Sequence, residues 1–386
     1  ASDVHRPVSG TGTRGSTGRR FRPRCRLGRS VAALLATAGL AVAGCGTTTP
    51  ARPTTASRVS NRAASRWVDQ PVSFVADGLK IYATYRHRVA PGRTPAALLI
   101  AGSGPTDRNG NDPQLTNANT LKTVADWLSE DGVASLRYDK LASGQTGLGR
   151  YAHDIDAIGV TPFEDEAAAA LRYLAAQPGV DTGQLSVWGH SEGALYALLL
   201  AAHPAAGDPP IHALGLLEPL SIRYLDVLQK QIGGQIRAAK QAGSITAAEA
   251  VTMQGQLTAT IADIRAHGTD TAPVPRFLSS VFNPSDVHYL AQADQVDPAT
   301  LAAQLPAHTP VLLSCSNDDI QVTCGEVAHL RAGLVRSDAS ITMVTLTGAD
   351  HLLKEDPSRS SAHYNAPLPF SPQLKKAIEI FVAQTA

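Results

Sequence analysis

Ser191 stands between two glycines in Gly189-His190-Ser191-Glu192-Gly193, a spacing that suits nucleophilic catalysis. In a Gly-x-Ser-x-Gly turn the serine takes a strained backbone with its hydroxyl exposed, and the glycines admit neighbouring chain where a Cβ would clash. A serine hydroxyl is a poor nucleophile, so it needs a base, and the base needs an orienting carboxylate. Downstream, Asp319 lies in Ser316-Asn317-Asp318-Asp319-Ile320-Gln321-Val322 directly after one apolar strand, and His351 lies in Thr347-Gly348-Ala349-Asp350-His351-Leu352 directly after another. Asp318 rivals Asp319 as the acid, and a turn aspartate is the bland reading of either. His363 rivals His351 as the base, whereas His190 sits inside the turn, His308 precedes a strand and His329 lies in a helix. An oxyanion needs two backbone donors. These are the amide of Glu192, directly after the serine, and one from Ala101-Gly102-Ser103-Gly104-Pro105, where Ser103 is preferred and Gly104 is next.

The elements that must position these residues alternate. Val72 to Ala76 and Leu79 to Tyr85 flank the turn pair Asp77-Gly78 and predict an antiparallel hairpin; Ala96 to Ile100 is a fully apolar strand. Leu121 to Leu128 has helical spacing, Val133 to Tyr138 reads as a strand, and Thr161-Pro162-Phe163-Glu164 predicts a capping box with Pro at the first helical position. The strand into Ser191, its alanine- and leucine-rich helix and a strand at Ala213 to Leu217 follow. Strands Val311 to Ser314 and Ile341 to Leu346, a helix near Glu326 to Val335 and a last helix after Ser371-Pro372 complete the pattern. Such alternation predicts right-handed crossovers and a mostly parallel sheet, with both loops at the carboxyl edge where Ser191 emerges. Between the two strand groups, residues 220–305 show helical period and no strand, which predicts an inserted helical cap covering a pocket. The bland alternative is a separate helical binding domain. The core is therefore expected over residues 67–219 and 306–386.

With 386 residues, 43% hydrophobic composition and a formal net charge of +1, the chain can bury a large core but carries no basic field for nucleic acid. Its basic cluster is confined to the first thirty residues, ahead of an apolar run from Val31 to Gly44 that ends at Cys45. That segment resembles a bacterial lipoprotein signal over residues 1–44, with lipid carried on Cys45, although a plain secretory signal or a short anchor would also account for the apolar run. Arg19-Arg20 invites a twin-arginine reading that its surroundings match poorly. Residues 45–66 are Thr-, Ser-, Pro- and Ala-rich and read as a disordered tether. The implied location is extracytoplasmic, anchored to the cell membrane.

Taken together the motifs resemble the α/β-hydrolase superfamily over roughly residues 70 to 385. Gly102-Ser103-Gly104-Pro105-Thr106-Asp107-Arg108, Arg137-Tyr138-Asp139-Lys140 and Asp319-Ile320-Gln321-Val322 are similar to a bacterial branch described as serine-aminopeptidase or lysophospholipase-like. Leu141-Ala142 departs from the usual Arg-Gly of that branch, and Ser316 from a Gly before the acid, which puts the pocket rim in question. The resemblance implies the order nucleophile, acid, histidine, and thus Ser191, Asp319 and His351 as a triad. It further implies ester hydrolysis on a small-molecule acyl substrate. No cofactor is required for that chemistry, and no His or Cys cluster has the spacing of metal ligands. The alternatives are a proline-type aminopeptidase, with Glu218 or a cap acid receiving the free amino terminus, and a non-catalytic envelope-binding lipoprotein of the same fold. Of four cysteines, Cys25 falls in the signal and Cys45 is the lipid site, leaving Cys315 and Cys324 in an oxidising compartment. They bracket Asp319, so a disulfide there would staple the acid loop. The alternative is one buried and one unpaired surface cysteine.

Overall fold

A computed structural model describes residues 66–89 and 92–385. The signal, Cys45 and all but the last residue of the tether lie outside the described residues. Among the described residues, no helix is long and apolar enough to cross a membrane.

Eight strands form one sheet in the order β1-β2-β4-β3-β5-β6-β7-β8. β1 (Trp67–Ala76) and β2 (Leu79–Arg88) make the antiparallel hairpin, longer at both outer ends than the apolar run suggested. Asp77 and Gly78 both take positive φ, the twist that a two-residue hairpin turn needs. β2 pairs antiparallel with β4 (Ala134–Tyr138). From β4 onward, through β3 (Thr94–Ile100), β5 (Val180–His190), β6 (Ala213–Leu217), β7 (Pro310–Ser316) and β8 (Ser340–Leu346), every pairing is parallel.

The central strands are apolar on both faces because both faces are covered. Ala97 and Leu99 of β3 enter a cluster with Leu121 and Leu128 of α1 (Thr120–Glu130) and Ile378 and Phe381 of α9 (Pro372–Thr385). Leu98 and Ile100 point the other way, into a larger cluster that also holds Ala167 and Leu171 of α2 (Thr161–Ala175), Leu195 and Leu198 of α3 (Gly193–Ala202) and, farther along the sheet, Leu330 of α8 (Cys324–Arg336).

Between β6 and β7 the chain leaves the sheet through α4 (Tyr224–Gln241), α5 (Ala247–His267), α6 (Pro284–Ala293) and α7 (Pro298–Ala302), with no strand. Leu225, Leu228, Ile261 and Leu290 of these helices join the same buried cluster as the sheet, so the excursion packs on the core rather than standing apart.

One local expectation fails. Thr161 is already helical and makes no capping bond; the cap position is Val160, in right-handed helical conformation, and Pro162 is one residue further in. The backbone N–H of Val160 instead donates to Gln292 Oε1 of α6 at 2.9 Å, so a tertiary partner takes over the task. A true capping box closes α8, where Thr323 and Glu326 bond each other's backbone amides.

Candidate active site

β5 runs straight into Ser191, whose φ of 54° is left-handed, and α3 begins two residues later. A non-glycine residue there costs on the order of 1 kcal/mol and must be held by its surroundings. Its N–H donates to Leu217 O at 3.0 Å, and its carbonyl accepts from Leu220 N at 3.0 Å and Ala194 N at 3.1 Å. The flanking glycines are dictated by contact: a Cβ on Gly189 would lie 2.3 Å from the Ala194 amide nitrogen, and one on Gly193 would lie 2.2 Å from Ile100 O. The first turn of α3 thus requires the first glycine, and packing against the C-terminal end of β3 requires the second.

Asp319 and His351 come together as expected. His351 Nδ1 lies 2.7 Å from Asp319 Oδ2, while Asp319 Oδ1 accepts from the amides of Gln321 at 2.7 Å and Val322 at 3.1 Å. Both side chains are buried, and His351 Nε2 is buried without a hydrogen-bond partner. An imidazole held at Nδ1 by a carboxylate, with Nε2 left free, can accept a proton there. The rivals are occupied elsewhere. Asp318 Oδ2 accepts from Gly348 N at 2.8 Å and ties the two loops together, and His363 pairs with Asp356 at 3.0 Å on the surface.

His190 does more than fill the turn. Its Nε2 lies 2.7 Å from the carbonyl oxygen of His351, and the two rings sit 4.9 Å apart. Burial, and then the neighbouring His351, press its pKa down to about 3, so the ring is neutral and its Nε2–H donates to that carbonyl. Sequence reasoning missed this brace because the signal spans two loops far apart in the chain.

The glycine-rich loop lies against the serine: a Cβ on Gly102 would sit 3.3 Å from Ser191 Cβ. Buried Lys140 donates to Gly102 O at 2.5 Å. In a trans peptide the carbonyl and the following N–H point in opposite directions, so this bond turns the Ser103 N–H away from Lys140. The Glu192 amide is at the start of α3, where helix N–H groups lack intrahelical acceptors. The helical excursion reaches the side chains of Ser103 and Glu192. Tyr224 hydrogen-bonds Ser103 and Glu192, Tyr289 of α6 donates to Glu192 Oε1, and Tyr196 Oη lies 2.8 Å from Tyr289 Oη. Burial pushes all three phenols well up, keeping them as O–H donors.

Of the positions that depart from the resembled pattern, Ser316 and Leu141 are buried, while Ala142 is half-buried with a left-handed φ of 66°. Ser316 is buried and donates to Ala349 O at 2.6 Å, joining the acid loop to the histidine loop. Leu141 is buried in the core, and its N–H donates to Glu166 Oε1 at 2.7 Å. Glu218, considered for a free amino terminus, is fully buried behind Asp319 and cannot receive one there. Cys315 and Cys324 are disulfide-bonded with their Cα atoms 5.2 Å apart, enclosing Asp319. A cavity of about 550 Å³ lined by Arg223, Lys230, Arg237 and His329, among others, includes none of Ser191, Asp319 or His351.

No protein-family model matches the chain, and no curated protein sequence matches it. Solved structures do. The alpha/beta hydrolase GrgF from Penicillium sp. sh18 superposes with a TM-score of 0.51 at 15% identity, covering 82% of this chain and 99% of that one. An acetyl xylan esterase from Paenibacillus sp. R4 superposes with a TM-score of 0.50 at 14% identity, covering 85% of this chain and 87% of that one. The fold is that of the α/β-hydrolases.

Proposed function

We propose that the chain is a serine hydrolase that cleaves carboxylic esters. The observation that carries this reading is the 2.7 Å contact between His351 Nδ1 and Asp319 Oδ2, with Nε2 left free, in the fold whose strand-turn-helix places Ser191 on a left-handed backbone. His351 Nε2 takes the Ser191 proton as Oγ attacks the ester carbonyl, and Asp319 stabilises the imidazolium that forms. The oxyanion is received by the amides of Ser103 and Glu192. Collapse of the tetrahedral adduct passes the proton to the leaving alcohol and leaves an acyl group on Ser191. Water, deprotonated by the same histidine, then releases the acid and restores the serine. This sequence calls for no cofactor. The esterase in the structural comparison is in keeping with the reading.

The proposal extends to location. A disulfide at Cys315–Cys324 suits an oxidising compartment, in keeping with export and a lipid anchor on Cys45. The helices between β6 and β7 serve as the cap, with Tyr224 and Tyr289 linking it to the side chains of Ser103 and Glu192, whose amides are the oxyanion donors.

The test is labelling by a fluorophosphonate. Wild-type protein should label and Ser191→Ala should not; equal labelling of both would refute the assignment, and labelling of neither would leave a binding protein. A panel of acyl esters set against aminoacyl amides then separates ester from peptide hydrolysis.

A further inference from the structure

Glu218 directly follows β6, with a left-handed φ of 43°, and is wholly inaccessible to solvent. Its segment grips the nucleophile on both sides, since Leu217 O receives the Ser191 N–H and Leu220 N donates to the Ser191 carbonyl. Its carboxyl turns the other way, toward the acid. Oε2 accepts from Ser316 N at 2.9 Å, Oε1 lies 3.3 Å from Ser314 Oγ, and the group hydrogen-bonds with Asp319. The ionisable neighbour it faces is Asp319, on the loop after β7, with His351 of the loop after β8 beyond it. From β7 it meets a serine hydroxyl and an amide, both uncharged.

Two touching carboxyls cannot both be ionised in a buried site without a cation between them. Asp319 is the one that stays charged. A carboxylate offers about four acceptor positions, and on Asp319 three are filled by the Gln321 amide, the Val322 amide and the His351 ring. The fourth needs a donor, and a neutral Glu218 has one. We infer that Glu218 is held as the protonated acid and donates its proton to the Asp319 carboxylate, making it a positioning residue that aims Asp319 at His351. Burial first, and then the charge on Asp319, push the Glu218 carboxyl well above the ordinary carboxylate range, as this arrangement requires. One short segment thereby fixes the nucleophile through its backbone and the acid through its side chain. The catalytic consequence rests on the serine hydrolase reading; the proton assignment does not.

The variants that separate the roles are Glu218→Gln, which keeps a donor for Asp319 and an acceptor for Ser316 N, and Glu218→Leu, which keeps neither. Measured as kcat/KM against pH on an aryl ester, Glu218→Gln should stay within about threefold of wild type with its acidic limb in place. Glu218→Leu should lose about ten- to a hundredfold in kcat, the worth of a hydrogen bond to a charged group. Its limb should move to higher pH, because a carboxylate with one donor fewer holds the imidazolium proton more tightly. A limb that moves down by about half a unit or more in Glu218→Gln would mean that an ionised Glu218 had been raising the base, and would overturn the inference. Wild-type rate and limb in Glu218→Leu would overturn it too. Infrared spectra near neutral pH give a readout independent of turnover: a protonated-carboxyl C=O band present in wild type and lost in Glu218→Gln supports the assignment, and no such difference refutes it. The band with no esterase activity would uphold the shared proton and sink the ester-hydrolase reading alone.

Discussion

Lys140 holds the carbonyl oxygen of Gly102 at 2.5 Å, on the side of the peptide bond opposite the N–H of Ser103. In the proposed mechanism the two ends of one peptide therefore have separate duties, one anchored to a buried ammonium and the other offered to the oxyanion. Lys140→Met removes the anchor, and with it the ammonium 5.9 Å from the Phe163 ring centroid, while keeping an unbranched apolar stem in the same space. We expect kcat on an aryl ester to fall about a hundredfold with KM little changed, as for loss of an oxyanion donor. A fall in KM-limited binding with kcat preserved would show that the loop does not need this bond.

Asp319 and Asp318 are neighbours with different partners, so they should differ sharply on substitution. Asp319→Asn presents an amide to His351 Nδ1 and favours the wrong tautomer, with an expected loss of roughly ten-thousandfold in kcat. Asp318→Asn keeps an acceptor for Gly348 N and should cost less than about tenfold. Single-turnover acylation rates for the two variants make the comparison, and a reversed order would exchange their roles.

The disulfide closes a loop whose ends are nine residues apart in sequence and which contains Asp319. Cross-linking so short a loop stabilises by about 2–3 kcal/mol through the unfolded state. In the Cys315→Ser/Cys324→Ser double variant the melting temperature should drop by about 5 °C. Because the loop also aims Asp319, kcat should fall more than KM changes; calorimetry and steady-state kinetics on the same preparation check both.

What could be read from the sequence follows the range of the forces involved. The elbow was legible because its pattern is contiguous, although only Gly189 is dictated by a contact within the strand-turn-helix and Gly193 answers to the end of β3; the strands were legible because β3, β5, β6 and β7 are covered on both faces. Asp319 and His351 were legible because each follows a strand that ends at the same sheet edge. Glu218 carries no short-range signature: its contact with Asp319 exists only once β6 and β7 pair across the whole helical excursion. The Thr161 capping box failed for the same kind of reason, since Gln292 arrives from α6 to bind Val160 N. The Thr323–Glu326 box does form, because both of its partners are local in sequence.

Glu166 should make stability fall as pH rises. Burial lifts its carboxyl to about 8, opposed by the Leu141 amide and Lys140. The folded state thus binds a proton that the unfolded chain releases from about pH 4.5 upward, so this contribution is complete below about pH 4.5 and is lost as pH climbs through about 8. In Glu166→Gln, whose amide oxygen still accepts from Leu141 N, the decline over that window should flatten. Urea unfolding near pH 5 and near pH 8.5 measures it, and parallel slopes in wild type and variant would show that Glu166 is not the source.

His190 should act on the acid side with the opposite sign. Its folded pKa of about 3 lies below the unfolded value near 6.5, so between those limits the unfolded chain binds a proton that the folded one refuses. Stability from this group is therefore whole above about pH 6.5 and drains away as pH falls toward 3. Protonating the ring in place would put a cation beside His351, whose own imidazolium forms in the proposed mechanism, so the two rings cannot both be charged at low cost. His190→Gln keeps a donor for the His351 carbonyl and has nothing to titrate. It should reduce the stability lost between about pH 6.5 and pH 4 while leaving activity near pH 8 within about tenfold of wild type. An unchanged acid slope would locate the acid sensitivity elsewhere, and a collapse of activity near pH 8 would mean that the imidazole itself, and not its hydrogen bond, holds His351 in place.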